Sequence, residues 1–129
     1  MGERIETGEL KRLAVHLEEA AGVAPVEVRK VVQKGALNIK NDARRRVQGL
    51  RHAPAYPYAI TYDSTETPGG AWADIGPDKD KRQGALGNIL EYGTVKNAPI
   101  PHMGPAGDAE RPRFERALED LAVRLLEGR

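Results

Sequence analysis

The sequence contains no cysteine, so the chain can form neither a disulfide bond nor a thiolate metal site or nucleophile. Its single serine, Ser64, falls in a predicted turn and outside any Gly-x-Ser-x-Gly pattern. Its three histidines, His16, His52 and His102, are scattered and lack the spacing of metal ligands. No glycine pattern typical of nucleotide binding is present. We therefore expect no enzymatic activity, no metal and no cofactor.

Long apolar runs and aromatic residues are also scarce. No run approaches the roughly 18 apolar residues of a membrane span, and the first residues lack the apolar core of a signal peptide. We expect a soluble protein with no membrane partner. Aromatic residues make up only 5% of the 129 residues, so Ala, Val, Leu and Ile must build a thin core. Such a core favours further burial by subunit association. We expect one domain over residues 1–129, with residues 1–7 as a flexible N-terminal segment.

Apolar residues recur at helical spacing in two segments of the N-terminal half. The first segment predicts a helix that ends at Gly22, with apolar positions at Leu10, Leu13, Ala14, Leu17, Ala20 and Ala21. Pro25 opens a second helix, from about Val26 to Gln48, which would be on the order of 30 Å long. Gly35 and Ala36 lie in its apolar stripe and indicate close approach by another backbone.

Strand signals follow this long helix. Residues 58–62 and 71–75 have the alternating pattern of half-buried strands, and the intervening Thr67-Pro68-Gly69-Gly70 is typical of a turn. Together they predict an antiparallel hairpin. Because an isolated hairpin is marginally stable, it must pack on the long helix or pair with another chain.

The stretch from Gly84 to Ala106 combines a helix end, a forced extended segment and a helix start. A short helix over residues 85–92 should end at Gly93 in the left-handed conformation, after which Pro99 and Pro101 favour extended backbone. Asp108 is a plausible N-cap of the last helix, with Pro112 in its first turn. That helix has one apolar face, formed by Phe114, Ala117, Leu118, Leu121, Ala122 and Leu125.

The predicted fold class is therefore α+β. Two N-terminal helices, the second one long, precede a small antiparallel sheet or hairpin. A short helix, an extended proline-rich loop and a C-terminal helix complete the chain.

Glu91 and His102 are the reactive residues of the central stretch. Glu91 is the one acidic residue within the apolar turn, and it could serve as a buried general base. A salt bridge on the helix surface or an interface contact is the alternative that we favour. His102 lies between Pro101 and Met103, where contact or packing outweighs catalysis. A hydrolase built on these two residues is the weakest hypothesis, because no further catalytic group accompanies them.

Charge is distributed unevenly along the chain. Residues 1–52 hold 11 Lys/Arg against 7 Asp/Glu, and residues 53–129 hold 9 against 12. Such a split favours head-to-tail contact between copies or reflects two solvated faces. The basic run could bind DNA or an acidic partner, although a helix end favoured by the dipole or a subunit contact is the stronger interpretation. Its members are Lys40, Arg44, Arg45, Arg46, Arg51 and His52.

The C-terminal half contains, in order, Leu90-Glu91-Tyr92-Gly93-Thr94, a proline-rich segment that ends in Gly104-Pro105-Ala106, and an amphipathic helix. This succession resembles a phage family. It is similar to the HK97-type neck or tail-completion proteins of long-tailed bacteriophages. Their signature is an E-[FY]-G-T turn followed by P-F-x-x-P-A and a terminal helix. The Gly35-Ala36 step and the strand Ala73-Asp74-Ile75-Gly76 also fit, so the resemblance covers roughly residues 26–125. Two departures are His102 in place of the aromatic residue after the proline, and residues 52–58 in place of a TG-x-L run.

This resemblance implies a structural virion protein at the head–tail junction, present in the host cytoplasm during assembly. It implies a homo-oligomeric ring, with six subunits expected, that joins the connector to the tail and surrounds the DNA channel. The implied partners are connector or head-closure proteins, tail terminator or tube proteins, and DNA touched without sequence preference. The alternative is a small nucleic-acid-binding module that uses the basic end of the long helix. We expect the subunit contacts in the central stretch, at Glu91, Tyr92, Gly93, Thr94, Pro99, Pro101, His102 and Pro105.

Overall fold

The computed structural model describes residues 2–5, 11–16, 25–67 and 70–127. Over these ranges the fold is α+β, as predicted, with three α-helices and a small antiparallel sheet. In chain order the elements are β1 (Gly2–Ile5), β2 (Lys11–His16), α1 (Pro25–Arg46), β3 (Ile60–Thr67), β4 (Gly70–Pro77), α2 (Gly87–Tyr92) and α3 (Met103–Leu126). Two 3₁₀ turns, Tyr56–Ala59 and Gly84–Leu86, precede β3 and α2.

The sheet has the strand order β1-β2-β4-β3, and each neighbouring pair is antiparallel. The predicted hairpin is confirmed as β3 and β4, with Tyr62 opposite Ile75. Ser64 lies in β3 opposite Ala73 rather than in a turn. Along β4, alternate residues Ala71, Ala73 and Ile75 are buried against α1, as expected for a half-buried strand. Of the predicted turn over residues 67–70, residues 68–69 lie outside the described residues, while Thr67 and Gly70 pair at the ends of β3 and β4.

The N-terminal helix prediction is wrong where the structure describes it. Residues 11–16 form β2, which pairs with β4 and places Leu13 in the core. Lys11 is also buried, at 3% exposure, and its aliphatic stem lies against Gly107 of α3. A buried lysine stem hides the in–out alternation of a strand from a sequence pattern. Residues 17–22, including the predicted end at Gly22, lie outside the described residues, and residues 2–5 form β1.

Helix α1 is the centre of the fold. It packs against the sheet and against α3, and its buried stripe is Val28, Val32, Ala36, Ile39, Ala43 and, just past its end, Val47. Gly35 marks its closest approach to other elements. A Cβ atom there would lie 2.7 Å from Leu13 Cδ1 and 3.1 Å from Phe114 Cδ1. A larger residue at this position would require the Leu13 side chain to shift. Side chains of β2 and α3, rather than another backbone, make the close approach.

Helix α3 begins at Met103, five residues before the predicted N-cap Asp108. Asp108 and Pro112 consequently lie inside the helix, and both are exposed. Pro112 has no N–H to donate within the helix, and its exposed position leaves the unpaired carbonyl on the solvent side. The buried face has Phe114, Leu118 and Leu121, as predicted, while Ala122 is exposed. The side chain of Leu125 lies outside the description.

Candidate functional site

The segment between α2 and α3 is held by backbone constraints at Gly93. This residue has φ +75° and ψ −174°, so φ is positive as predicted but ψ lies outside the left-handed helical region. Only glycine adopts such a conformation readily. A Cβ atom would lie 2.6 Å from the Asn97 carbonyl oxygen and 2.7 Å from the Pro99 nitrogen. The chain reverses direction here and cannot accept a side chain.

The reversal is continued by a hydrogen-bonded turn over residues 94–97. The Thr94 N–H donates to the Asn97 carbonyl oxygen at 2.9 Å, and the Asn97 N–H donates back to the Thr94 carbonyl at 3.3 Å. The Thr94 hydroxyl oxygen also accepts from the Lys96 and Asn97 backbone N–H groups, at 3.2 and 3.1 Å. Val95, at the tip, is fully exposed. The Ile100 N–H donates to the Leu90 carbonyl at 2.7 Å and closes the segment.

Glu91 caps the N-terminus of α3. Its Oε1 accepts from the backbone N–H groups of His102 and Met103, at 3.1 and 2.9 Å, and its Oε2 accepts from Gly104 at 3.2 Å. The next residue, Pro105, has no N–H, and the Ala106 N–H makes the first bond within the helix. All the donors that a helix start leaves unpaired are therefore satisfied by one carboxylate. The negative charge also suits the positive end of the helix dipole.

His102 is fully buried beside this cap. Its Nδ1 lies 2.9 Å from the Ile100 carbonyl oxygen, which can only accept, so Nδ1 carries a proton. Its Nε2 lies 2.6 Å from the Tyr56 hydroxyl, and the two rings meet edge to face at 89°. Nδ1 is also 3.1 Å from Glu91 Oε1. Glu91, His102 and Tyr56 form a buried polar cluster, which we call the α3 lock.

The eight residues predicted for subunit contacts thus divide into three groups by exposure. Glu91 and His102 are 6% and 0% exposed, and their polar atoms are used within the chain. Gly93 and Pro105 are partly exposed. Those with exposed side chains are Tyr92, Thr94, Pro99 and Pro101. The four exposed side chains face solvent, and the contacts of the two buried ones hold the segment in place.

The basic residues at the end of α1 are mostly engaged within the chain. Arg44 donates through Nε and Nη2 to the Ile60 carbonyl, at 3.0 and 2.7 Å. Arg45 and Arg46 both bind the buried carboxylate of Asp42, at 2.8 and 3.0 Å. These contacts tie the end of α1 to β3 and neutralise part of its charge.

Lys40 and Arg51 complete this basic set. The Lys40 ammonium lies 5.7 Å from the centre of the Tyr62 ring. Partial burial, with help from the Arg44 charge, lowers the pKa of Lys40. Arg51 is exposed, as is His52 beside it, and Arg45 keeps 72% of its side chain exposed. Within this basic set, the exposed positive charges are therefore those of Arg45, Arg46 and Arg51.

A third buried carboxylate, Glu110 of α3, has no counterpart in the sequence predictions. It is 2% exposed and receives the Asn38 side-chain amide at 3.2 Å, while Arg113 Nε lies 2.9 Å from its Oε1. Burial raises the pKa of Glu110, although Asn38 and Arg113 oppose this. It lines a groove of about 320 Å³ between α1 and α3. Glu110 lies four residues before Phe114, on the apolar face that the sequence predicts for α3, and this spacing is the signal that could have found it.

An apolar groove of about 400 Å³ lies beside α2, and we call it the α2 groove. Arg51, His52 and Asn97 supply its polar lining, and Ile89, 48% exposed, lies on it. Its remaining lining is Leu50, Ala53, Leu86, Leu90, Ala98 and Ile100. The groove therefore has an apolar floor with positive charge at one side.

The described residues contain no group of three or more His, Cys, Asp or Glu side chains placed to hold a metal ion. None of the helices in the described part of the chain has the length and apolar character needed to cross a bilayer. Comparisons with protein-family models, curated proteins and solved structures found no match.

Proposed function

We propose that this chain is a structural subunit of a phage neck, in which copies form a ring between the connector and the tail. The ring, with six subunits expected, would surround the DNA channel and contact connector or head-closure proteins on one side and tail proteins on the other. The resemblance of residues 90–94 and 104–106 to the neck and tail-completion family is the basis of this proposal.

The structural observation that supports it most is the rigid exposed segment between α2 and α3. Tyr92 is 60% exposed and Val95 fully exposed, on backbone fixed by Gly93, by the Thr94 turn and by the α3 lock. A segment that is already ordered loses little conformational entropy when it binds a neighbour. Two exposed apolar side chains on such a segment suit a permanent contact better than solvent.

Reconstitution would test this proposal. The purified chain should be mixed with connector and tail-tube proteins from the same source and separated by sedimentation. We expect a complex that electron microscopy shows as a ring at the end of the connector or tail. A chain that stays monomeric alone and in the presence of both proteins would contradict the proposal.

The nucleic-acid-binding alternative has less support. Arg44, Arg45 and Arg46 are bound to the Ile60 carbonyl and to Asp42, so their charge is partly satisfied. Binding through phosphates would weaken steeply as salt is raised from low to physiological concentration. Titration of a short DNA duplex at low salt distinguishes the two functions, since a neck subunit requires no measurable affinity for free DNA.

A further inference from the structure

The outward face of α3 contains an apolar side chain that the fold of one chain does not use. Val123 is 50% exposed and lies opposite the buried stripe of Phe114, Leu118 and Leu121. On the helix surface its neighbours three and four residues back are Asp120 and Glu119, both exposed. The same outward face continues with further exposed acidic side chains, Asp108 and Glu115, and with two exposed basic residues, Arg113 and Arg116, so that acidic residues outnumber basic ones on it.

The α2 groove has the opposite character. Its floor is apolar, and Arg51 and His52 lie on its lining. Arg45 and Arg46, whose side chains are exposed, end α1 a few residues before Arg51 in the sequence. An apolar side chain flanked by carboxylates is the chemical complement of this groove.

The groove and Val123 belong to opposite ends of α3. Ile100 lines the groove just before α3 begins at Met103, and Val123 lies 20 residues further along the helix. At 1.5 Å per residue, about 30 Å separates the helix start from Val123. One copy therefore cannot fill its own groove. If the outward face of α3 in one copy binds the groove of a neighbour, the groove of the first copy stays open for a third copy. This is the condition for a ring or a filament.

We propose that the α2 groove of one copy receives the outward face of α3 from the next copy. Val123 enters the groove, and Glu119 and Asp120 face Arg51. This inference rests on the proposed ring function and specifies which two surfaces form each contact. The pairing places a basic residue of the N-terminal half against acidic residues of the C-terminal half.

A complementation experiment tests this pairing. Val123→Asp places a charge on the outward face of α3 but leaves the α2 groove intact. Ile89→Asp places a charge in the α2 groove but leaves the outward face of α3 intact. We expect each variant alone to be monomeric in analytical ultracentrifugation at concentrations where wild type assembles. An equimolar mixture should form a 1:1 dimer and stop there, since one intact face meets one intact groove.

Val26→Asp is the matched control, because Val26 is 45% exposed but lies at the start of α1. It should assemble as wild type does. If Ile89→Asp unfolds, as judged by circular dichroism, Arg51→Glu replaces it, and Glu119→Lys should then restore assembly of the Arg51→Glu chain.

The outcomes separate this inference from the proposed function. If wild type forms rings and both variants form them too, the surfaces are wrongly assigned although the ring stands. If the variants are monomeric but their mixture gives no dimer, the pairing of these two surfaces is also contradicted. A wild type that forms open head-to-tail chains lost in both variants supports the inference and contradicts the closed ring. A wild type that remains monomeric at every concentration, both alone and with the connector and tail proteins, contradicts both.

Discussion

Two buried carboxylates, Glu91 and Glu110, differ in what surrounds them. Glu91 accepts three backbone N–H groups at the positive end of α3, and each of its oxygens is used. Glu110 meets one amide and one guanidinium beside a groove, and burial raises its pKa. A carboxylate among backbone donors is a structural element, whereas one with sparser partners destabilises the fold when it is charged. We expect the two to respond oppositely to substitution.

Removal of the Glu91 carboxylate should have the largest effect. Glu91→Ala leaves the His102, Met103 and Gly104 N–H groups without their acceptor, and each unsatisfied buried donor costs about 1–3 kcal/mol. We expect the free energy of unfolding to fall by about 3–5 kcal/mol, measured by urea denaturation. Glu115→Ala, at an exposed position of α3, is the control and should change it by less than about 0.5 kcal/mol. Equal losses in the two variants would show that Glu91 does not cap α3.

Tyr56→Phe sharpens the comparison within the α3 lock. The variant keeps the buried ring but removes the hydroxyl that lies 2.6 Å from His102 Nε2. A buried nitrogen without its partner should lower the free energy of unfolding by about 1–3 kcal/mol. The matched control is Tyr58→Phe, since Tyr58 is 68% exposed and should tolerate the change. Thermal unfolding followed by circular dichroism would show the difference, and an unchanged Tyr56→Phe chain would exclude this bond as a stabilising contact.

Glu110→Gln should have a small effect at neutral pH, within about 1 kcal/mol of wild type or more stable. Its pH dependence is more informative. Because the folded chain has the raised pKa, protonated Glu110 favours folding below its ordinary value of 4.5, and this contribution is lost as pH rises through the folded pKa. The stability of the variant relative to wild type should therefore increase as pH rises from that value and then become constant. Urea denaturation at several pH values tests this, and a falling difference would contradict it.

Tyr92→Ala should change stability least, by less than about 0.5 kcal/mol, because its side chain is 60% exposed. It lies next to Glu91 but on the outside of the α3 lock. Under the proposed function it should nevertheless weaken assembly, as measured by sedimentation. A variant that assembles normally would show that Tyr92 does not take part in the subunit contact. The role of this part of α2 would then be limited to the contacts of Glu91 within the chain.

The sequence predicted the features that depend on long or strictly local patterns. Helix α1 has six turns of apolar repeat, and its observed bounds, Pro25–Arg46, lie within two residues of those predicted. The β3–β4 hairpin was predicted from alternation and turn residues. β2 was missed because Lys11 points its apolar stem inward and because Leu13 and Ala14 also fit a helical spacing.

The start of α3 was missed for a different reason. Its cap is the side chain of Glu91, supplied by another helix, so no local capping residue marks Met103. Pro105 and Pro112 also predict helix boundaries. Pro105 is tolerated because a residue in the first turn has no hydrogen bond to donate within the helix, and Pro112 is tolerated because it lies on the exposed side. The interior role of Glu91 and His102 follows from the same long-range contact, and single-residue patterns do not report it.

Native mass spectrometry of the wild-type chain tests the central proposal most directly. Six copies of the 14.1 kDa chain would give a ring of about 85 kDa. We expect this closed assembly, alone or bound to its connector and tail neighbours, and its loss in Val123→Asp. A single species at 14.1 kDa under all of these conditions would contradict the account.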